Sequence, residues 1–272
     1  MKTLPVGLQL YTVRTEMEKN VPETLAKVKA MGYDYVEPAG LFNYSYEAFR
    51  KELDKAGLRA ICAHVPLATL KEDTEAVIEG YKLIGCEYIA IPYLAGGERP
   101  GDPDFDKVLN EIDRVGAICE KKGLVLIYHN HDFEFVKMPD GSYGLDYMYN
   151  TVPANHLQTE LDTCWVNIGG EDPASYIRKY ADRCPVVHLK DFIGSKSDSM
   201  YELIGIEKKA DTTQQEFKFR PVGHGKQDFP AILQASIESG AKYVVVEQDQ
   251  SYETPCLEAA KMSRDYLKTL GW

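Results

Sequence analysis

Four apolar runs in this chain each lead into side chains that can hold a cation or move a proton. Leu157-Gln158-Thr159-Glu160-Leu161-Asp162 ends in a carboxylate, Val186-Val187-His188 in an imidazole, and Val244-Val245-Val246-Glu247 in a second carboxylate. The fourth, Leu124-Val125-Leu126-Ile127, opens into Tyr128-His129-Asn130-His131. One imidazole, two carboxylates and a fourth donor form a ligand set suited to a divalent cation. Residues alternate in direction along a strand, so Glu160 shares the face of Asp162, and Lys190 that of His188. A lysine beside a cation and close carboxylates can neutralise an alkoxide or hold a substrate oxygen.

These residues converge only if the runs are parallel strands ending at one mouth. Apolar runs alternate with helical patterns from Val6 to the end of the chain. Strands are expected near Val6-Val13, Asp34-Pro38, Arg59-Val65, Tyr88-Tyr93, Leu124-His129, Leu157-Thr163, Val186-Lys190 and Tyr243-Gln248. Between them lie amphipathic helices with recognisable ends, such as Asn20-Val21-Pro22-Glu23 with Gly32, Ser45 with Gly57, and Asp228-Phe229-Pro230 with Gly240. Eight β-then-α units in 272 residues predict a single (β/α)8 barrel, one α/β domain over 1–272, with its active site at the carboxyl ends of the strands. An open doubly wound sheet is the competing fold, but no glycine-rich phosphate loop follows the first strand. The fifth helix, after Tyr143-Gly144-Leu145, is expected to be only two turns. The wide gap after strand seven is expected to be a binding loop, with a short strand or hairpin around Phe217, Phe219 and Val222.

Composition narrows the partners. A formal net charge of −11 repels phosphate backbones and argues against nucleic acid. The six cysteines are scattered without a CxxC pair, which argues against a disulfide framework. No signal-like N-terminus and no run near the roughly 20 apolar residues of a membrane span are visible, so the cytoplasm is the expected compartment and no membrane partner is expected.

Single residues have plain structural readings. Taken alone, Asp162 is as readily a helix cap as a ligand, and His64 is a hydrogen-bonded core residue. Recurrence argues otherwise. Gln9, Glu37, His64, His131, Asp162, His188 with Lys190, and Glu247 with Asp249 put polar groups at the ends of seven of the eight strands. In this architecture such ends carry catalysis. Of His129 and His131, two apart, only one is expected to face inward.

The motifs Tyr128-His129-Asn130-His131, Glu160-Leu161-Asp162, Val187-His188-Leu189-Lys190-Asp191, Val222-Gly223-His224-Gly225 and Val246-Glu247-Gln248-Asp249 resemble the xylose isomerase-like TIM-barrel superfamily, in its sugar phosphate isomerase/epimerase branch. The resemblance spans nearly the whole chain. It implies a Mn, Zn, Co or Mg ion on Asp162, His188 and Glu247. Where the family has Glu, this chain aligns Tyr128. His131 or His129 then supplies the fourth ligand, with His131 the choice carried forward; a three-residue site completed by water, or a site without metal, are the alternatives.

The resemblance implies an isomerase or epimerase acting on a sugar or sugar phosphate through an enediolate. Glu247 would be the base, His131 the second acid/base, and Lys190 an oxygen holder. Gln9, Glu37, His64, Glu160, Trp165 and His224 would meet substrate. A lyase or dehydratase using the same enolate on a keto-sugar or keto-inositol is the runner-up, and a non-catalytic sugar-binding protein follows. The superfamily's DNA-repair endonucleases come last, since they need more ligands and a basic surface. The partner is a small sugar derivative, and a homodimer is the oligomer the resemblance allows.

Overall fold

The barrel strands are short: β1 (Val6–Gln9), β2 (Tyr35–Glu37), β3 (Arg59–Ala60), β4 (Tyr88–Ile91), β5 (Val125–His129), β6 (Gln158–Asp162), β7 (Val186–Leu189) and β10 (Tyr243–Val246). They come from a computed structural model that describes residues 3–197, 200 and 217–272. The strands form one parallel eight-stranded sheet in the order β3-β2-β1-β10-β7-β6-β5-β4. Backbone bonds then join its two edges. Ala90 N–H donates to Ala63 O at 2.9 Å, and Val65 N–H donates to Ala90 O at 2.8 Å. The sheet is thereby closed, and the (β/α)8 architecture read from the sequence is the one observed.

Strand periodicity sorts every side chain into one of two compartments. Leu8, Val36, Leu126, Tyr128, Leu161, Val187, Leu189, Val244 and Val246 face outward into the layer beneath the helices. Ile61, Tyr88, Ala90, Ile127, Val186 and Val245 face inward and plug the lower barrel. The next inward position up six of the strands is polar: Gln9, Glu37, His129, Glu160, His188 or Glu247. Burying an aliphatic side chain is worth ~1.5–3 kcal/mol, whereas an unpaired buried charge costs several. The lower plug is self-sufficient, and the layer above it survives only through charge pairing.

The surrounding helices start and stop where their caps dictate. Asn20 Oδ1 accepts from Glu23 N–H at the start of α2 (Val21–Ala30), and Ser45 Oγ from Ala48 N–H at the start of α3 (Tyr46–Ala56). The longest central helix, α6 (Phe105–Lys122), ends on Gly123 at φ 77°, where a side chain would be strained. α7 (Gly144–Thr151) has the two turns expected of it. The first strand stops at Gln9 rather than Val13, because Gln9 Oε1 accepts from Tyr11 N–H and turns the chain into a 3-10 segment, Leu10–Val13. Short helices α1 (Arg14–Lys19) and α4 (Leu67–Glu72) carry no sequence signal strong enough to mark them, while α8 (Thr163–Ile168) starts at Asp162, the residue the sequence also offered as a cap.

After β7 the chain forms the expected hairpin element, β8 (Asp191–Ile193) antiparallel to β9 (Lys218–Arg220). Most of the intervening loop lies outside the described residues. The pair is anchored by Asp191, whose carboxylate accepts backbone N–H groups from Phe192, Gly223, Gly225 and Gln227 at 2.8–3.1 Å. That explains the Val222-Gly223-His224-Gly225 motif as backbone architecture. A Cβ on Gly225 would lie 2.2 Å from Asp191 Oδ1 and 2.5 Å from Phe192 O. Gly225→Ala is therefore expected to destabilise the fold by about 2–4 kcal/mol through overpacking and lost hydrogen bonds. Denaturant unfolding checks this; an unchanged midpoint would contradict the anchoring role.

Candidate metal centre and active-site mouth

Four donors meet at the strand ends: His129, Asp162, His188 and Glu247, all buried, with their ligand atoms within 4.8 Å of one another. His129 Nε2 lies 3.3 Å from Asp162 Oδ2 and 3.6 Å from Glu247 Oε2. His188 Nδ1 lies 2.9 Å from Glu247 Oε2. Two imidazoles and two carboxylates at such spacing match the donor chemistry of a borderline divalent cation. His129 Nε2 is a buried polar atom with no hydrogen-bond partner, as a ligand nitrogen would be. On both counts the residues fit a metal.

Backbone pairing explains why these four converge. Asp162 is in register with His188, and His129 with Glu160. Asp162 is both cap and candidate ligand. Its Oδ1 accepts from Trp165 N–H at the start of α8, while its own N–H donates to Asn130 Oδ1 at 2.9 Å, leaving Oδ2 for the cluster.

The strand-five alignment needs correction. Tyr128 faces outward, where its phenol donates to Glu134 Oε1 at 2.5 Å. The inward residue is the next one, His129, so Tyr128 does not mark a lost ligand. His131 lies outside the four-donor group, stacked on the Phe133 ring at 5.0 Å with Trp165 5.1 Å away. Residues two apart share a strand face, and both His129 and His131 reach the mouth. Burial, then the neighbouring His129 and Lys190, hold His131 well below the usual imidazole range. It stands neutral, suited to hydrogen bonding rather than to delivering a proton from an imidazolium.

Lys190 sits among three carboxylates. Its Nζ is 2.9 Å from Asp162 Oδ2, 2.8 Å from Glu247 Oε2 and 3.0 Å from Asp249 Oδ2. Burial opposes its charge, but Asp162, Asp249 and Glu247 outweigh burial and keep it cationic. Burial also works against ionised Glu247, yet Lys190 and the two histidines hold its carboxyl well below the usual range. Asp249 differs: burial, and then Glu247 and Asp162 against the pull of Lys190, push it up to about 6. The sequence marks Asp249 only as a strand-end companion of Glu247, with no role of its own.

The mouth is a cavity of about 370 Å³ whose wall includes Tyr11, His64, Tyr93, His131, Lys190 and Asp249. Of the expected substrate contacts, His64 is on this wall. Gln9, Glu37 and Glu160 are fully buried and off it. Trp165 does not reach the cavity; it is fully buried, parallel to Phe217 at 6.2 Å. His224 is exposed and lines a separate cavity with Arg220 and Tyr252. The aromatic side chains on the wall are Tyr11 and Tyr93.

Two outcomes follow. His129→Ala should weaken divalent-cation binding by more than the roughly 10–100-fold typical of losing an outer-shell partner, and His131→Ala by far less; titration calorimetry checks both, and the reverse order would contradict the ligand assignment. Glu134 carries the second. Burial pushes its carboxyl from 4.5 up to about 7, against the Tyr128 and His131 hydrogen bonds. The folded state therefore holds a proton that the unfolded chain has released, so this group's contribution to stability falls between pH 4.5 and about 7 and levels off above. Glu134→Gln should remove that slope in urea unfolding; an identical slope would contradict it.

A sequence profile for the xylose isomerase-like TIM barrel matches residues 25–270. An inosose dehydratase from Geobacillus kaustophilus is 25% identical over 276 residues, covering 91% of this chain and 86% of that protein. One from Clostridium beijerinckii is 28% identical over 185 residues, 65% of this chain and 58% of the relative. Among solved structures, a sugar phosphate isomerase/epimerase from Parabacteroides distasonis superposes with a TM-score of 0.79 at 21% identity, covering 98% of this chain and 94% of that one. A D-allulose 3-epimerase from Methylomonas sp. gives 0.72 at 14% identity, covering 99% and 98%. No helix among the described residues is long and apolar enough to cross a membrane. By the profile and by its closed parallel barrel, the chain belongs to the xylose isomerase-like TIM-barrel family.

Proposed function

We propose that this chain is a metal-dependent enzyme that removes a proton beside the carbonyl of a polyhydroxylated keto substrate and stabilises the enediolate that results. The observation that carries this is the four-donor group His129, Asp162, His188 and Glu247 at the floor of the mouth cavity, with Lys190 beside it. A divalent cation held there supplies Lewis-acid polarisation of substrate oxygens.

The side chains divide the remaining work. Asp249 lines the cavity, is outside the four-donor group, and is the carboxylate placed to take the proton. Glu247, the sequence-based choice of base, is better employed as a ligand because it already meets His188 and Lys190. The Lys190 ammonium neutralises charge developing on oxygen. Neutral His131 offers a hydrogen bond, and Tyr11 and Tyr93 offer apolar ring faces to a sugar.

Elimination of a β-hydroxyl or β-alkoxy group is the outcome favoured here. The strand-five position holds His129 rather than a carboxylate, which removes one partner from a two-carboxylate proton exchange. Both curated relatives described above are named inosose dehydratases, in keeping with elimination. Isomerisation or epimerisation is the second reading. His64 and Asp249 enter the mouth from different strands and could serve two sides of a substrate.

Incubation of metal-loaded enzyme with inososes and keto-sugars in D2O separates the outcomes. Loss of water by mass spectrometry marks elimination, and an unchanged formula with carbon-bound deuterium marks isomerisation. Neither turnover nor exchange across the panel would sink the proposal. Asp249→Asn should lower kcat by about 10²–10⁴, the usual worth of a general base, with metal content retained; full activity would remove Asp249 from the role.

A further inference from the structure

One layer below the mouth lies a second set of donors that the favoured elimination does not use: Glu37, His64 and Glu160, with His188 between the two sets. Glu37 and Glu160 are fully buried, and His64 is 9% exposed. His64 Nε2 points at both carboxylates, 2.7 Å from Glu160 Oε2 and 3.4 Å from Glu37 Oε1. His188 Nε2 lies 2.7 Å from Glu37 Oε2 and 3.3 Å from Glu160 Oε1.

Hydrogen-bond accounting leaves this layer incomplete. A neutral imidazole carries one N–H. When His188 gives its Nδ1 lone pair to the upper centre, its single hydrogen is on Nε2 and serves Glu37 Oε2. Glu37 Oε1 and Glu160 Oε1 both lack a hydrogen-bond partner. Each meets only an imidazole already bonded elsewhere, His64 at 3.4 Å and His188 at 3.3 Å, and two carboxylate oxygens so weakly met in a dry interior are costly unless a cation sits against them. The Cys62 thiol nearby is no soft alternative ligand, since burial and then Glu37 and Glu160 keep it protonated.

From this geometry we infer a second divalent-cation site, formed by Glu37, Glu160 and His64. Two carboxylates and one imidazole suit Mn²⁺, Fe²⁺ or Zn²⁺. His64 also lines the mouth cavity, so the site has a route of entry and an open side toward it. The two sites adjoin across the His188 ring, and so the chain would hold a pair of cations rather than one.

The test is metal stoichiometry on the full chain, dialysed against Mn²⁺ and measured by ICP-MS, with Mn²⁺ electron paramagnetic resonance on the same samples. Circular dichroism confirms the fold of each variant. Two equivalents in the wild type, with a broadened spin-coupled signal, are expected. Glu160→Gln and His64→Asn should each retain one equivalent and show the sharp six-line spectrum of an isolated ion, as should Asp162→Asn. His64→Asn keeps the lower site testable if Glu160→Gln does not fold. One equivalent in the wild type, lost in Asp162→Asn but kept in Glu160→Gln and His64→Asn, would overturn the second site and leave the proposed reaction standing. One equivalent lost in Glu160→Gln but kept in Asp162→Asn would support the lower site and remove the upper one.

Discussion

Charge compensation inside a dry barrel is the constraint on which the rest of this structure depends. Five carboxylates, those of Glu37, Glu160, Asp162, Glu247 and Asp249, are buried within the upper half of the barrel. Such groups cost several kcal/mol each unless paired. Lys190 and the imidazoles of His64, His129 and His188 are interleaved among them at 2.7–3.6 Å. No single member can be removed without stranding another. The geometry is consequently stiff, which is what a site needs if charge is to develop on substrate oxygens without the surroundings having to rearrange.

Two separate devices meet that constraint. The strands supply direction: with all eight parallel, five of them place an ionisable side chain, Glu37, His129, Glu160, His188 or Glu247, inward above the apolar plug. The carboxyl-end loops supply restraint. Asn130 holds Asp162, Glu134 ties the turn after β5 through Tyr128 and His131, and Asp191 gathers four backbone N–H groups under the loop after β9. Motif residues that look chemical in the sequence are divided between these tasks. Gly223 and Gly225 belong to the second, and the exposed His224 between them lines a cavity separate from the mouth.

Much of the barrel was legible in the sequence because it rests on periodicities of 2 and 3.6 and on caps, which are local signals. Asp162, His188, Lys190 and Glu247 were legible because each ends an apolar run at an inward position. What failed was tertiary. Whether Tyr128 or His129 faces inward depends on the phase of β5 against β6, and an alignment to a family pattern shifted by one residue reverses it. The depth of Trp165 is set by aromatic packing from a segment over 50 positions away, Phe217 and Phe219. The raised Asp249 carboxyl comes first from burial and then from Glu247 and Asp162 working against Lys190, groups that three strands bring together. No spacing in the chain encodes that.

Anomalous diffraction from crystals grown with Mn²⁺ or Zn²⁺, recorded on both sides of the metal edge, tests the central claim most directly. The expected peak is bonded to His129, Asp162, His188 and Glu247, with Tyr128 turned away from it. A difference map with no peak at that position, or a metal ligated by His131 in place of His129, would contradict it.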